Sequence, residues 1–78
     1  MGKGQTRIAN NIRQLRFHKD EMTQAELAER IGVTRQTVIA MEQGRYSPSL
    51  EVAFRTALAL NAPITEVFTY SEESESAE

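Results

Sequence analysis

The sequence has no cysteine and no tryptophan, and its 78 residues include one histidine and two prolines. Without cysteine there is no disulfide framework and no thiolate metal site, and one histidine is too few for the usual all-protein zinc site. The chain also lacks a signal-peptide pattern and an apolar run of about 20 residues. These absences predict a single cytoplasmic domain that uses no cofactor or metal and does not enter a membrane.

Negative charge is concentrated at one end of the chain. The formal net charge is −2, from nine basic and eleven acidic residues. Four of the acids lie in the last seven residues, whereas every basic residue lies at or before Arg55. Residues 1–71 therefore carry nine positive and seven negative charges, a net of +2. Because a partner meets the local charge, the acidic total does not exclude nucleic acid.

The two ends of the chain are predicted to lie outside the folded domain, which spans 8–70. Residues 1–7 are expected to form a flexible arm, whose Lys3 and Arg7 either touch a phosphate backbone or belong to a free terminus. Residues 71–78 are acidic and rich in serine, so a disordered tail is predicted. Such a tail serves either solubility or the repulsion of phosphates.

A first amphipathic helix is predicted over about residues 8 to 19. Ile8, Ile12 and Leu15 recur at helical spacing, with basic residues on the other faces. Phe17 lies off this stripe, so it either covers the edge of the core or lies exposed.

The second half of the chain predicts one regular helix and one short one. Ser49 is predicted to cap a fourth helix. The apolar residues after it recur at helical spacing and form a stripe that is expected to face the core. The residues of that stripe are Leu50, Ala53, Phe54, Ala57 and Leu58. Pro63 ends this pattern, and about residues 64 to 68 form a last helix. The predicted fold class is all-α, with four to five short helices around one core.

The segment 23–42 contains two helix starts with a glycine between them. Thr23 and Glu26 have the spacing of a capping box, in which each side chain accepts a hydrogen bond from the backbone N–H of the other residue. Gly32 stands where a helix end commonly needs a left-handed residue, and Thr34 can cap the following helix. The residues predicted to be buried are Leu27, Ala28, Ile31, Val33, Val38 and Met41. This pattern predicts a helix-turn-helix.

The helix after Thr34 has the residues that reading DNA requires. Its first turn is polar and its opposite face is apolar, so a neighbouring helix can hold it rigidly. Arginine at position 35 can donate two bonds to guanine, and glutamine at position 36 can pair with the adenine edge. Gln24 opens the preceding helix, where free amides and the helix dipole favour a phosphate. Arg45 and Tyr46 lie in the following loop, from which they could contact the DNA backbone.

These residues resemble the XRE family of helix-turn-helix regulators, which includes the phage Cro and repressor proteins. The resemblance covers about residues 8–70 and is most specific over 22–54, where the continuation after Tyr46 is similar to a compact single-domain subgroup. The segments that carry it are Met22–Ala28, Ile31–Val38 and Met41–Phe54. It implies a five-helix, lambda-repressor-like domain that binds double-stranded operator DNA as a dimer, with its third helix in the major groove. Two departures are a link at 19–21 that is about one residue longer, and Pro63 where a serine or threonine usually caps the fifth helix.

The pattern and the resemblance together assign roles to individual residues. Those expected to contact bases are Arg35, Gln36, Ala40 and Ile39. For the first two the alternative is a solvated helix face, and the last could meet a thymine methyl or simply lie exposed. Those expected to contact phosphates are Gln24, Thr34, Thr37, Arg45 and Tyr46.

The sequence thus predicts a sequence-specific transcriptional regulator that acts as a homodimer, with repression as its simplest mode. The residues expected at the dimer contact are Leu60, Ile64, Val67, Phe68 and Tyr70. No small-molecule ligand is evident, because no residues remain for a sensing domain. One alternative is an antitoxin or protein-interaction module of the same fold, with the tail as its partner segment. The other is an enzyme, which is disfavoured because His18 has no evident nucleophile beside it.

Overall fold

The computed structural model describes residues 6–70. Its elements, in chain order, are β1 (Ile8–Asn10), α1 (Ile12–His18), α2 (Gln24–Ile31), α3 (Arg35–Glu42), α4 (Leu50–Leu60), α5 (Ile64–Val67) and β2 (Phe68–Tyr70). None of the five helices in this range is long and apolar enough to cross a membrane. The predicted helices around one core are confirmed, with a small sheet added. The predicted tail, and the predicted arm up to residue 5, lie outside the described residues.

The chain before α1 is extended, so the prediction of a helix from Ile8 was wrong at its start. Strand β1 pairs antiparallel with β2, and Ile8 lies opposite Tyr70. The helix begins only at Ile12, whose backbone N–H donates to the Asn10 side chain at 3.1 Å. The Asn10 amide donates in turn to the Met41 carbonyl at 2.8 Å. Ile8 and Ile12 are four positions apart, a spacing that places two residues on one face of a helix and also on one face of a strand. Pairing with the distant strand β2 selects the extended conformation for Ile8.

The described fold reaches back into the predicted arm. The backbone N–H of Thr6 donates to the carbonyl of Gly44 at 2.9 Å, and the Thr6 hydroxyl accepts from the N–H of Ile8 at 2.6 Å. Thr6 is therefore attached to the turn that follows α3.

The helix pair α2–α3 has the local geometry that its residues predict. The Thr23 hydroxyl accepts from the N–H of Glu26 at 3.0 Å, and the Glu26 carboxylate accepts from the N–H of Thr23 at 2.9 Å. Gly32 ends α2 in the left-handed region, with a φ of 77°. Thr34 then caps α3 by accepting from the N–H of Thr37 at 3.1 Å. The predicted helix-turn-helix is confirmed.

One hydrophobic core joins all five helices. Its buried residues are Ile12, Met22, Leu27, Ala28, Ile31, Val38, Met41, Ala57, Leu60 and Val67. Val33, predicted to be buried, is half-buried and packs against this cluster. Helix α2 lies at the centre, because it packs against both α3 and α4. The pair α2–α3 is therefore supported from behind by the rest of the domain.

Helix α4 buries only part of the stripe predicted to face the core, since Ala53 and Ala57 are buried as predicted and the other three residues are not. Its buried residues are Ala53, Thr56, Ala57 and Leu60, and the Thr56 hydroxyl is satisfied by the carbonyl of Val52 at 2.7 Å. Leu50, Phe54 and Leu58 are instead 71%, 51% and 79% exposed. The apolar surface of the helix is wider than the core can cover, and periodicity alone cannot say which part of it meets the core.

The two departures from the family pattern have clear structural counterparts. In the link between α1 and α2, Asp20 and Glu21 are both left-handed, with φ of 57° and 55°. This turn lets the N–H of Met22 donate to the carbonyl of Arg16 at 2.9 Å. Pro63 precedes α5 without a side-chain cap, and α5 has only four residues. Phe17, whose position the sequence left open, is 63% exposed.

Candidate nucleic-acid interface

Helix α3 is held by one face and presents the other to solvent. Val38 and Met41 are 0% and 2% exposed, so they anchor the helix in the core. Arg35 and Gln36 are exposed in its first turn, and Ile39 is half-buried. Ala40, one turn further along, is also half-buried. All four residues predicted to contact bases therefore retain some accessible surface.

An open groove of about 600 Å³ lies between α1, α2 and α3. Its lining residues are Arg13, Arg16, Thr23, Gln24, Ala25, Arg35, Ile39, Glu42 and Gln43. The groove brings together two predicted base contacts, Arg35 and Ile39, with the predicted phosphate contact Gln24. The other predicted contacts are not among its lining residues. Three arginines and one glutamate give this groove a net positive charge, which suits a polyanion.

A hydrogen-bonded network fixes the floor of the groove. Arg16 makes two parallel bonds to the Glu42 carboxylate, from Nε at 2.6 Å and from Nη2 at 3.0 Å. The two side chains are only 13% and 9% exposed. Arg16 Nη1 also donates to the carbonyl of Met22 at 2.8 Å, and Gln24 Nε2 donates to Glu42 Oε1 at 3.1 Å. The network joins α1, the start of α2 and the end of α3, so it sets their relative orientation.

Gln24 therefore has a structural role in addition to the predicted one. Its amide nitrogen carries two hydrogens, and the bond to Glu42 uses one of them. The second hydrogen is available for the predicted phosphate contact. Since Glu42 holds the amide, this donor is oriented before any partner arrives.

The threonines at the start of α3 also combine capping with a spare donor. The Thr34 and Thr37 hydroxyls lie 3.1 Å apart, and the Thr34 oxygen already accepts from the N–H of Thr37. Two hydroxyls that share one hydrogen bond leave one O–H to donate elsewhere. Thr34 is exposed and Thr37 is half-buried, so the spare donor can reach solvent from Thr34.

Arg45 and Tyr46 lie in the loop after α3. Both are exposed, and Arg45 Nη1 donates to the Gln43 side chain at 3.1 Å. The backbone N–H of Arg45 donates to the carbonyl of Ala40 at 2.9 Å, which ties the loop to α3. These predicted phosphate contacts therefore form a second location, apart from the groove.

Sequence reasoning missed several residues of this surface. Arg13 lines the groove, and within residues 6–70 it has no acidic partner. The roles of Arg16 and Glu42 were also missed, because they lie 26 positions apart and no local pattern joins them. The only available signal for Arg13 was a basic residue on the polar face of the first helix. Over the same range no group of three or more side chains is placed to hold a metal ion.

The residues predicted for the dimer contact are divided by the structure. Leu60 and Val67 are 4% and 0% exposed in the core of their own chain, so their side chains cannot form a surface contact. Ile64 and Phe68 are half-buried and pack against that core. Tyr70 is 62% exposed at the end of β2. For these last three residues the contact stays a prediction.

Two capped helices joined through a left-handed glycine, with a polar exposed face on the second, form the arrangement of a helix-turn-helix DNA-binding domain. Comparison with known proteins agrees. A family model described as helix-turn-helix (HTH_3) matches residues 12–67, and the chain belongs to this family of XRE-type proteins.

The relatives of the chain are transcriptional regulators. It is 55% identical over 62 residues to an uncharacterized HTH-type transcriptional regulator of Methanothermobacter thermautotrophicus, covering 76% of this chain and 90% of the relative. It is 39% identical over 65 residues to the cryptic phage CTXphi transcriptional repressor RstR of Vibrio cholerae, covering 83% of this chain and 58% of the relative.

A solved structure shows the same fold. The crystal structure of the hypothetical transcription factor NHTF from Neisseria matches with a TM-score of 0.67 and 27% identity, over 86% of this chain and 76% of that chain. The chain is therefore a transcriptional regulator with a helix-turn-helix DNA-binding fold, and the relatives named above are regulators rather than enzymes.

Proposed function

We propose that this regulator binds operator DNA sequence-specifically as a homodimer, with α3 in the major groove. The observation that carries the proposal is the first turn of α3. There Arg35 and Gln36 are exposed while Val38 and Met41 behind them are buried. A rigid helix with free guanidinium and amide groups at its N-terminal end has the form of a recognition helix.

Base reading rests on Arg35 and Gln36. Arg35 has no acidic partner within the described residues, so its guanidinium is free to donate two parallel bonds to guanine O6 and N7. Gln36 can pair in the same bidentate way with adenine. Ile39 and Ala40 offer apolar surface one turn further along, and contact with a thymine methyl is the role that fits Ile39.

Backbone contacts fix the position of α3 in the groove. The amide of Gln24 and the hydroxyls of Thr34 and Thr37 lie at the starts of α2 and α3, where helix dipoles favour phosphate. Arg45 and Tyr46 would contact the backbone from the loop after α3. Such contacts set register and orientation but carry no sequence information.

Repression is the mode of regulation that we propose. The Vibrio cholerae relative is named a transcriptional repressor, and it shares 39% identity with this chain. A small DNA-binding domain can repress simply by occupying an operator that polymerase needs. For the dimer, the accessible part of the surface predicted from the sequence is Ile64, Phe68 and Tyr70.

Selection from a random pool of double-stranded DNA tests the proposal. We expect enrichment of an inverted repeat whose half-sites are about one helical turn, roughly 34 Å, apart. The matched control is Arg35→Ala with Gln36→Ala, which removes the base readers but keeps the buried face of α3. The wild type should enrich a site that this variant does not.

Failure to enrich any sequence would contradict sequence-specific binding. Co-purification of a stable protein partner together with such a failure would instead support a protein-interaction module of this fold. Enrichment of a single half-site without a repeat would retain base reading but contradict the dimer.

A further inference from the structure

Helix α4 carries an exposed apolar stripe that the fold does not use. Leu50, Phe54 and Leu58 are spaced four residues apart, so they lie along one face of the helix. They are 71%, 51% and 79% exposed. The face of α4 beside this stripe is already buried in the core. The apolar surface of α4 is therefore wider than the part that the core covers, and a partner is expected to cover the rest.

The stripe is the largest concentration of such residues in the described part of the chain. Of the six large hydrophobic residues that are exposed there, three belong to α4. The other three, Phe17, Tyr46 and Tyr70, lie on α1, the loop after α3 and β2. Phe17 also makes an edge contact with the His18 ring. Scattered single residues need no explanation, whereas a contiguous apolar patch is a candidate interaction site.

We propose that the α4 stripe, Leu50, Phe54 and Leu58, is the surface through which two copies of this chain associate. The proposal rests on the homodimer of the proposed function, and it places the contact on α4 instead of on Ile64, Phe68 and Tyr70, the accessible residues predicted from the sequence. The stripe is symmetric, since a leucine lies four residues before Phe54 and another lies four residues after it. Two α4 helices that cross antiparallel at Phe54 therefore bring Leu50 of each copy against Leu58 of the other. Such self-complementarity is what a two-fold contact requires.

A small concavity beside the stripe fits this arrangement. It has a volume of about 260 Å³, and its lining residues are Ala57, Leu58, Asn61, Ala62 and Pro63. It lies at the C-terminal end of α4, next to the position that the partner's leucine would reach. The exposed Leu50 of a second copy can enter it, and Leu50 of the first copy can enter the equivalent concavity on the second.

Charge beside the stripe does not oppose association. Glu51 and Arg55 flank it on α4 and form an ion pair with each other, with Arg55 Nη2 and Glu51 Oε2 2.9 Å apart. The Glu51–Arg55 pair has no net charge, so association of two copies at the stripe does not bring uncompensated like charges together.

The exposed area fits a modest dimer. The three side chains expose on the order of 350 Å² of apolar surface, nearly half of the ~800 Å² that each partner of a standard interface buries. The rest would come from the surroundings of Pro63 and the flanking polar residues. A contact of this size gives a weak dimer in solution, which two half-sites on one DNA stabilise.

Sedimentation analysis of charged variants tests the proposal. We expect Phe54→Glu and Leu58→Glu to weaken dimerisation by roughly tenfold or more, since each would bury an unpaired charge at the contact. The matched control is Phe17→Glu, which adds the same charge at an aromatic residue of α1 that is somewhat more exposed than Phe54, and it should leave the dimer unchanged. Far-UV circular dichroism should show that all three variants remain folded.

A mixing experiment distinguishes a direct contact from a general loss of stability. Phe54→Glu and Phe54→Lys should each be monomeric alone, whereas their mixture should form a heterodimer, because position 54 of one copy meets position 54 of the other. Phe54→Cys should crosslink under oxidation, and Phe17→Cys should not; the chain has no other cysteine.

Binding to a single half-site separates this proposal from DNA binding itself. Phe54→Glu should bind a half-site as the wild type does but lose roughly tenfold or more on the full operator. A wild type that is monomeric at high micromolar concentration, with and without operator, would overturn the proposal even if half-site binding persisted. So would a dimer that survives Phe54→Glu and Leu58→Glu but is lost in Tyr70→Glu, which would place the contact at β2.

Discussion

Arg35 and Arg45 are both exposed cations, but their surroundings differ. Arg35 opens α3 and lines the groove between three helices. Arg45 lies in the following loop, outside the groove, and donates to the Gln43 side chain. A guanidinium that faces base edges and one that faces the DNA backbone have different consequences for specificity.

This difference predicts different behaviour in two alanine variants. Arg35→Ala should cost about 1–3 kcal/mol in operator affinity and relax preference at one base pair. Arg45→Ala should weaken binding to all sequences alike and reduce the slope of affinity against salt by about one. Binding measured across an operator library at several salt concentrations checks both. Identical profiles for the two variants would mean that these roles are wrong, even if DNA binding is right.

Two glycines with similar backbone angles lie in different environments. Gly32 and Gly44 have φ of 77° and 75°, a region in which other residues are strained. A Cβ at Gly32 would lie 3.1 Å from Nη1 of Arg55, whereas a Cβ at Gly44 would have no atom within 4 Å. The same Nη1 donates to the carbonyl of Ile31 at 3.4 Å.

Alanine at these two positions should therefore differ in cost. Gly44→Ala should lose about 1–2 kcal/mol of unfolding free energy through backbone strain alone. Gly32→Ala should lose more, because the Arg55 side chain must also move. In an Arg55→Ala background the two losses should become equal, and urea denaturation of the set measures this. A difference that persists in that background would assign the excess cost to the turn itself.

At the scale of elements, the orientation of α3 depends on the network that joins it to α1 and α2. Glu42 accepts from Arg16 on one side and from Gln24 on the other. Bidentate charge-assisted bonds of this kind are among the stronger polar contacts in proteins. The network thus links the rigidity of α3, the proposed recognition helix, to the position of a predicted phosphate contact.

Removing the charge of Glu42 should disturb both stability and binding. Glu42→Gln leaves Arg16 largely buried without a counter-charge and should cost about 2–4 kcal/mol. The control is Glu51→Gln, which breaks the Arg55–Glu51 pair, whose side chains are 51% and 73% exposed. It should cost no more than about 0.5 kcal/mol. Denaturation and operator binding of both variants provide the measurement, and equal losses would mean that the network contributes little.

At the scale of the whole molecule, charge is divided between the domain and the end of the chain. Residues 1–71 have a net charge of +2, and the four acids after them bring the total to −2. The cationic groove therefore belongs to a molecule whose overall charge would repel DNA. Non-specific binding depends on total and local charge together, and it depends strongly on salt.

Deleting residues 71–78 should raise non-specific DNA affinity and make its loss with salt steeper, if the acidic segment repels phosphates. A matched control replaces Glu72, Glu73, Glu75 and Glu78 by glutamine, which removes the charge but keeps the length. Both variants should behave alike in titrations of non-specific DNA at several salt concentrations. No change in either one would leave solubility as the function of this segment.

Short-range features of this protein were predicted from the sequence, because each depends on residues close together in the chain. The two residues of the capping box, Thr23 and Glu26, are three positions apart. Gly32 adopts the left-handed conformation that ends α2. The cap at Thr34 and the buried face of α3 are equally local. Together with the charge of 1–71, these features led to the helix-turn-helix and to its exposed residues.

Only the tertiary structure decided the features that join distant positions. Strand β1 forms because Ile8 meets Tyr70, and the groove floor forms because Arg16 meets Glu42. Helix α4 shows the limit of periodicity most directly. Its apolar surface is wider than the core can cover, and packing against α2 decides which part is buried. Burial of one part of this surface leaves Leu50, Phe54 and Leu58 exposed, and this is the surface on which we propose that a second copy packs.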